Sequence, residues 1–145
     1  MSDPLHIVCP HCHTTNRVRS DDLAQQPDCG SCHKPLFVAH SVALDESNFE
    51  RHLSRSQIPL LVDFWAPWCA PCRQMAPAFE QAAAQLEPRV RLVKVNTEEA
   101  QALGSRYNIR SIPTLALFLN GREVARQAGA MGAADIVRWT QAQGL

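Results

Sequence analysis

The six cysteines of this 145-residue chain fall into three C-x-x-C pairs, Cys9/Cys12, Cys29/Cys32 and Cys69/Cys72. That spacing suits two chemistries, ligation of a soft metal ion and thiol–disulfide exchange. The neighbouring residues separate them. The pairs in Val8-Cys9-Pro10-His11-Cys12 and Asp28-Cys29-Gly30-Ser31-Cys32-His33 are separated by the 16 residues from His13 through Asp28, a zinc-ribbon interval. Two such turns can bring four sulfurs onto one ion. The expected site is one structural Zn2+ held by Cys9, Cys12, Cys29 and Cys32, closed to any catalytic water. Iron, or two disulfides, are the other arrangements these thiols allow. His11, His13 and His33 are read as solvated neighbours.

The third pair has a different setting. Trp65-Ala66-Pro67-Trp68-Cys69-Ala70-Pro71-Cys72-Arg73 follows the apolar run Leu60-Leu61-Val62-Asp63-Phe64 and opens a helix-period pattern. A thiol at a helix N-terminus has its anion stabilised by unpaired N–H groups and by the macrodipole. Cys69 is therefore the candidate nucleophile and the expected exposed sulfur. Cys72, one turn inward, would resolve the mixed disulfide. A zinc role for this pair would need two more ligands, and none is evident. Asp63 is a carboxylate in a run that should be buried, and burial raises a carboxyl pKa towards the range of proton exchange near neutrality.

These residues must be carried by regular elements. Asp45-Glu46-Ser47-Asn48-Phe49 reads as a helix start, with Phe49, Leu53 and His52 on one face. Ile58 to Phe64 reads as a strand buried on both sides. From Ala70 to Leu86 the positions Cys72, Met75, Ala76, Phe79, Ala82, Ala83 and Leu86 recur at helical steps, with Pro77 as a source of kinking. Val90 to Val95 is a strand, and Glu98 to Tyr107 a short helix with Ala102, Leu103 and Tyr107 inward. Pro113 to Leu119 is a strand, Asn120-Gly121 a hairpin turn, and Glu123 to Gln127 the returning strand. Ala133 to Gln143 is a last helix turning Ile136, Val137, Trp139 and Thr140 to the sheet. A first strand is placed near Val42.

Composition narrows the function classes. Hydrophobic residues make up 46% and charged residues 19%, as in globular proteins, and 14 basic residues balance 14 acidic ones. No strong field draws the chain to nucleic acid or to a membrane surface. Arg17, Arg19 and Lys34 against Asp3, Asp21, Asp22 and Asp28 make the first segment a poor phosphate binder. No apolar run is long enough to span a bilayer. The start lacks a basic-then-apolar leader, so a cytoplasmic location is expected. The first forty residues hold few large apolar side chains (Leu5, Ile7, Val8, Leu23, Leu36, Phe37), too few for a core of their own, and metal binding can supply the missing folding free energy.

Val62-Asp63-Phe64-Trp65-Ala66-Pro67-Trp68-Cys69-Ala70-Pro71-Cys72-Arg73, then Lys94-Val95-Asn96, Ser111-Ile112-Pro113-Thr114 and Asn120-Gly121, resemble the thioredoxin family in order and spacing. The front segment, with Cys9-Pro10-His11-Cys12, Asn16-Arg17, Cys29-Gly30-Ser31-Cys32 and Leu36-Phe37, resembles the zinc-bearing thioredoxin 2 branch. The resemblance implies an α/β thioredoxin fold, a central mixed sheet flanked by helices, over residues 40–145, preceded by a zinc-ribbon-like domain over 1–39. It implies a protein-disulfide reductase without an organic cofactor, recharged by an NADPH-dependent thioredoxin reductase. No Gly-rich dinucleotide fingerprint is present. It makes Asp63 the group that assists deprotonation of Cys72, with Lys94 near that carboxylate, and Pro113 a cis-proline facing the dithiol. A plain buried Asp63–Lys94 ion pair and an ordinary strand-starting Pro113 are the simpler readings of those residues. Trp68, Ile112, Pro113, Gly129 and Ala130 would line the surface that docks disulfide-containing proteins, while Trp65 and Trp139 read as packing. A monomer suffices.

One residue departs from the family pattern. Ala70 stands where glycine is usual; alanine suits a first helical turn, so the dithiol chemistry is expected to persist. Redox poise and partner fit are what it would alter. A disulfide oxidase or isomerase is the first alternative, and a redox-independent ribbon adaptor the second. A ribbon that ejects zinc on oxidation is a third idea.

Overall fold

The computed structural model describes residues 3–144. Strands β1 (Pro4–Val8) and β2 (Thr15–Arg19) form an antiparallel hairpin. The turn between them carries Cys9 and Cys12, and an isolated bridge between Asp28 and Pro35 closes the turn of Cys29 and Cys32. The expected shortage of apolar residues is real. Ile7, Cys9, Val18, Cys29 and Leu36 cluster around Ile58, a residue from beyond the ribbon.

The other elements are β3 (Val42–Leu44), α1 (Phe49–Arg55), β4 (Leu60–Trp65), α2 (Ala70–Leu86), β5 (Arg91–Asn96), α3 (Gln101–Arg106), β6 (Thr114–Leu119), β7 (Arg122–Ala128) and α4 (Ala133–Gln141). Their order matches the expected succession. The sheet runs β3-β5-β4-β6-β7, with β3, β5 and β4 parallel and β6 and β7 antiparallel. Both faces are covered, which is why the central strands read as nearly unbroken apolar runs. On one face Val62, Phe64, Val93, Val95 and Phe118 meet Phe49, Leu53 and Leu103. On the other Leu61, Leu92, Leu115 and Leu117 meet Met75, Phe79, Ala82, Ala83 and Leu86 of α2 and Ile136 of α4. Each fully buried Phe or Leu among them contributes about 1.5–3 kcal/mol.

Helix α2 has the expected bounds, and the Asn120-Gly121 turn has positive φ at both residues, 53° and 80°, as a tight hairpin needs. Three expectations need correcting. The helix expected from Glu98 starts only at Gln101, because Asn96 folds a turn beneath it. Its side chain accepts the Glu98 N–H at 2.9 Å and its carbonyl accepts the Ala100 N–H at 2.8 Å. As a result Ala100 is buried and Ala102 is exposed. His13 is not a solvated neighbour of the cysteines; it is half-buried, with Nδ1 2.9 Å from His52 Nε2 on α1.

The two sheets are joined by polar contacts as well as by Ile58. His6 and Gln57 exchange two hydrogen bonds, at 2.8 and 2.7 Å. Arg91, at the start of β5, is 1% exposed. It donates to the Leu36 carbonyl at 2.7 Å, the Val8 carbonyl at 3.4 Å and the Glu87 carboxylate at 3.1 Å. Its guanidinium also lies 4.7 Å from the Phe37 ring centroid. Glu87 in turn accepts the Ala39 N–H at 2.7 Å.

Candidate redox site and metal centre

Strand β4 ends at Trp65 and a short turn delivers Cys69 as the N-cap of α2. Pro71 sits in the first helical turn, where a missing N–H breaks no intrahelical bond. The freed N–H groups point at sulfur: Cys69 Sγ accepts the Cys72 N–H at 3.2 Å. Cys69 and Cys72 are joined in a disulfide, with Cα atoms 5.2 Å apart. Cys69 is 5% exposed and Cys72 1%, so the residue expected to present an exposed sulfur is itself buried, as the more accessible of the two.

The cover comes from a facing loop. The Ile112–Pro113 peptide is cis, and the Ile112 carbonyl oxygen lies 3.7 Å from Cys69 Sγ. Gly129, at φ 101°, donates its N–H to the Pro113 carbonyl at 2.9 Å, and Ala130 follows it on the surface. Trp68 is 66% exposed, and its indole N–H is held by the Glu98 carboxylate. Trp68 and Ile112 line a cleft of about 220 Å³ with Thr97, Gly104, Ile109, Arg110 and Ser111. Of the expected docking residues, Ile112 reaches Cys69 and Trp68 immediately precedes it in the chain.

On β4, the strand that leads to Cys69, Asp63 is 0% exposed, and among the described residues neither carboxylate oxygen is hydrogen-bonded. Burial pushes this carboxyl up to about 7, against the opposing pull of Lys94, while Glu80 adds to the rise. Asp63 and Lys94 are register partners on β4 and β5, yet no ion pair joins them among the described residues. Lys94 Nζ lies instead 4.3 Å from the Trp65 ring centroid. The simple ion-pair reading is thus not realised, and Trp65, which packs against Ala66, Cys69 and Cys72 as expected, also meets the Lys94 ammonium.

The four ribbon sulfurs lie within 4.8 Å of one another. Cys9 Sγ and Cys32 Sγ are 3.7 Å apart, and Cys12 Sγ and Cys29 Sγ 3.6 Å. A tetrahedron of thiolates around Zn2+ has edges of about 3.8 Å, so the set fits that ion. Backbone donors reinforce the fit. The N–H groups of His11 and Ser31 point to Cys9 and Cys29 at 3.3 and 3.4 Å, and the Asn16 amide reaches Cys29 at 3.5 Å. Hydrogen bonds led by the Cys32 N–H lower the Cys29 thiol to about 6, whereas burial pushes Cys9 up to about 12. A thiol as buried as Cys9 needs a cation to ionise, and a metal would be that cation.

Several side-chain contacts are not legible in the sequence: Arg91 with Glu87, His52 with His13, Glu98 with Trp68, and Lys94 with Trp65. Arg91 carried a signal, a charge inside the apolar run Val90 to Val95, like Asp63 in its own run. The others depend on side-chain directions that spacing does not reveal.

The thioredoxin family profile matches residues 40–142, and the profile described as Thioredoxin 2, N-terminal matches residues 8–34. The chain belongs to the thioredoxin family. It is 43% identical over 137 residues to "Thioredoxin C-3" of Corynebacterium nephridii, an alignment covering 94% of each chain. It is 46% identical over 91 residues to "Thioredoxin 1" of Synechococcus elongatus, covering 63% of this chain and 85% of the relative. It is 48% identical over 94 residues to "Thioredoxin 1" of a Nostoc species, covering 65% and 88%. As a thioredoxin the chain is a protein-disulfide oxidoreductase, with disulfide-bearing proteins and thioredoxin reductase as its general partners. Among the described residues no helix is long and apolar enough to cross a membrane.

Proposed function

We propose that this chain reduces disulfides in extended segments of other proteins, with Cys69 as nucleophile and Cys72 as resolving thiol. The Cys69 thiolate attacks one sulfur of the substrate disulfide and forms a mixed disulfide, releasing the other sulfur as a thiolate. Cys72 then gives its proton to Asp63, and its thiolate attacks Cys69 Sγ. The substrate leaves as a dithiol and the chain as the Cys69–Cys72 disulfide, so two electrons have passed. The observation that carries this reading is a disulfide capping the helix that follows a strand with a buried, unpaired carboxylate. Such a carboxyl can hold or release a proton near neutral pH.

Docking is assigned to Trp68, Ile112, Pro113, Gly129 and Ala130, with the cis-proline loop presenting backbone to the substrate. Lys94 tempers the Asp63 carboxyl. The electrons come from an NADPH-dependent thioredoxin reductase, without NADPH binding to the chain itself. Cys9, Cys12, Cys29 and Cys32 would hold one Zn2+, whose part is to tie the ribbon together. The functional division is residues 1–39 for the ribbon and 40–145 for the exchange unit, acting as a cytoplasmic monomer without nucleic acid or membrane partners.

Coupled NADPH consumption during insulin reduction tests the exchange mechanism. Cys69→Ser should abolish turnover, while Cys72→Ser should trap the mixed disulfide on Cys69, visible by mass. Full activity in Cys69→Ser would refute it.

A further inference from the structure

Asp63 and Trp65 are alternate residues of β4 and share one face of the sheet, and Lys94 is the register partner of Asp63 on β5. An ammonium so placed would ordinarily settle against the carboxylate. Here its nitrogen stands over the indole, 4.3 Å from the centroid, and both Asp63 oxygens are left without a hydrogen bond. The face of an indole is the strongest aromatic competitor for a cation. The tryptophan is itself fixed. Its carbonyl accepts the Thr97 N–H at 2.9 Å and the Thr97 hydroxyl at 3.1 Å, and its ring packs against Ala66, Cys69 and Cys72.

We propose that Trp65 is a positioning residue whose indole face holds the Lys94 ammonium off Asp63, leaving that carboxylate unpaired and able to exchange a proton with Cys72. The inference rests on the role given to Asp63 above. The charged groups acting on Asp63 are Lys94 from β5 and Glu80 from α2, to which the reading above adds the Cys72 thiol after reduction. Leu115 of β6, opposite it in the ladder, carries no charge. Both Glu80 oxygens are anchored at 2.6 Å by the Ser41 N–H and hydroxyl. Among the described residues the indole is the contact shown for the Lys94 ammonium, so the position of that ammonium sets the field at Asp63.

The test follows the Asp63 carboxyl carbon by NMR through a pH titration of the oxidised, zinc-loaded, full-length protein. In Trp65→Leu the ammonium is released to pair with Asp63, and the titration midpoint should fall by about one pH unit. Trp65→Phe keeps an aromatic face and should fall by less. In a Lys94→Met background Trp65→Leu should have no further effect. An equal fall in that background would overturn the proposal, since the indole would then act by shielding the carboxylate from water. If Trp65→Leu does not fold, trifluorotryptophan placed at position 65 keeps the shape and weakens the ring's negative face. A fall in midpoint then supports the proposal and an unchanged midpoint overturns it. Failure of the underlying reading looks different. Asp63→Asn that left the pH dependence of insulin reduction unaltered would remove the catalytic role of Asp63 without touching the Trp65 titration.

Discussion

Arg91 and Asp63 are both ionisable residues set inside apolar strands, on neighbouring strands of one sheet, and both are sealed from water. Their surroundings are opposite. The Arg91 guanidinium has two backbone carbonyls, a carboxylate and an aromatic face, and only its Nε is without a partner. The Asp63 carboxylate has no hydrogen bond among the described residues. A buried charge with its bonds satisfied is a fastener, whereas one left unsatisfied is held in a condition that the fold alone does not require. The partner inventory, more than the burial, separates the structural charge from the chemical one.

The comparison can be broken from either side. The largest effect should come from stripping the proposed Zn2+ with a chelator, which would loosen the ribbon that supplies Val8 and Leu36 as acceptors for Arg91. Stability should fall by at least as much as for Arg91→Ala, measured by denaturant unfolding with and without added Zn2+, while insulin reduction at 25 °C persists. Arg91→Ala should itself cost about 3–5 kcal/mol, because it leaves Glu87 buried and unpaired. An Arg91→Met/Glu87→Met double variant should recover much of that loss. A cost near zero for Arg91→Ala would mean the guanidinium fastens nothing.

Asp63→Asn should act in the opposite direction, gaining about 1–3 kcal/mol at pH 8 while slowing reduction. The gain should depend on pH with a defined sign. The folded chain keeps the Asp63 proton up to about 7, while an unfolded aspartate loses it near 3.8. Between those values the folded state binds more protons, so the stability tied to the protonated carboxyl is complete below about pH 4. It is lost as pH rises through about 7 and stays lost above. The stability difference between wild type and Asp63→Asn, followed from pH 4 to pH 9, isolates this from every other group. The smallest effect belongs to Glu50→Gln, which removes the exposed ion pair with Arg106 and should leave the unfolding midpoint unchanged.

Local patterns were readable where the cause is local. Helix α2 has apolar residues at helical steps, a proline in its first turn and a cysteine cap, all within one stretch, and its bounds could be read directly. The Asn120-Gly121 hairpin is of the same kind, since its backbone angles belong to those two residues. The ribbon strands were not foreseen, because their apolar residues are sparse and the cluster closes only around Ile58, more than twenty residues past Cys32. The start of α3 was misplaced because the side chain of Asn96 makes a turn where composition reads helix. At the redox site the identities of Cys69, Cys72, Asp63 and Pro113 stood out. The placement of Lys94 over Trp65 did not, because a lysine beside an aspartate reads most simply as an ion pair.

Strands β4 and β5 run parallel, so Arg91 and the ribbon sit at the starting edge of the sheet and the disulfide beyond its finishing edge. Five strand steps of about 3.3 Å separate the two ends, some 17 Å in all. That exceeds the Debye length of about 8 Å in physiological salt. Charge held in the ribbon is therefore a weak electrostatic influence on the thiols. What the ribbon tells the active site has two mechanical routes, β5, where Arg91 is the first residue and Lys94 the fourth, and β4, which follows Gln57 and Ile58.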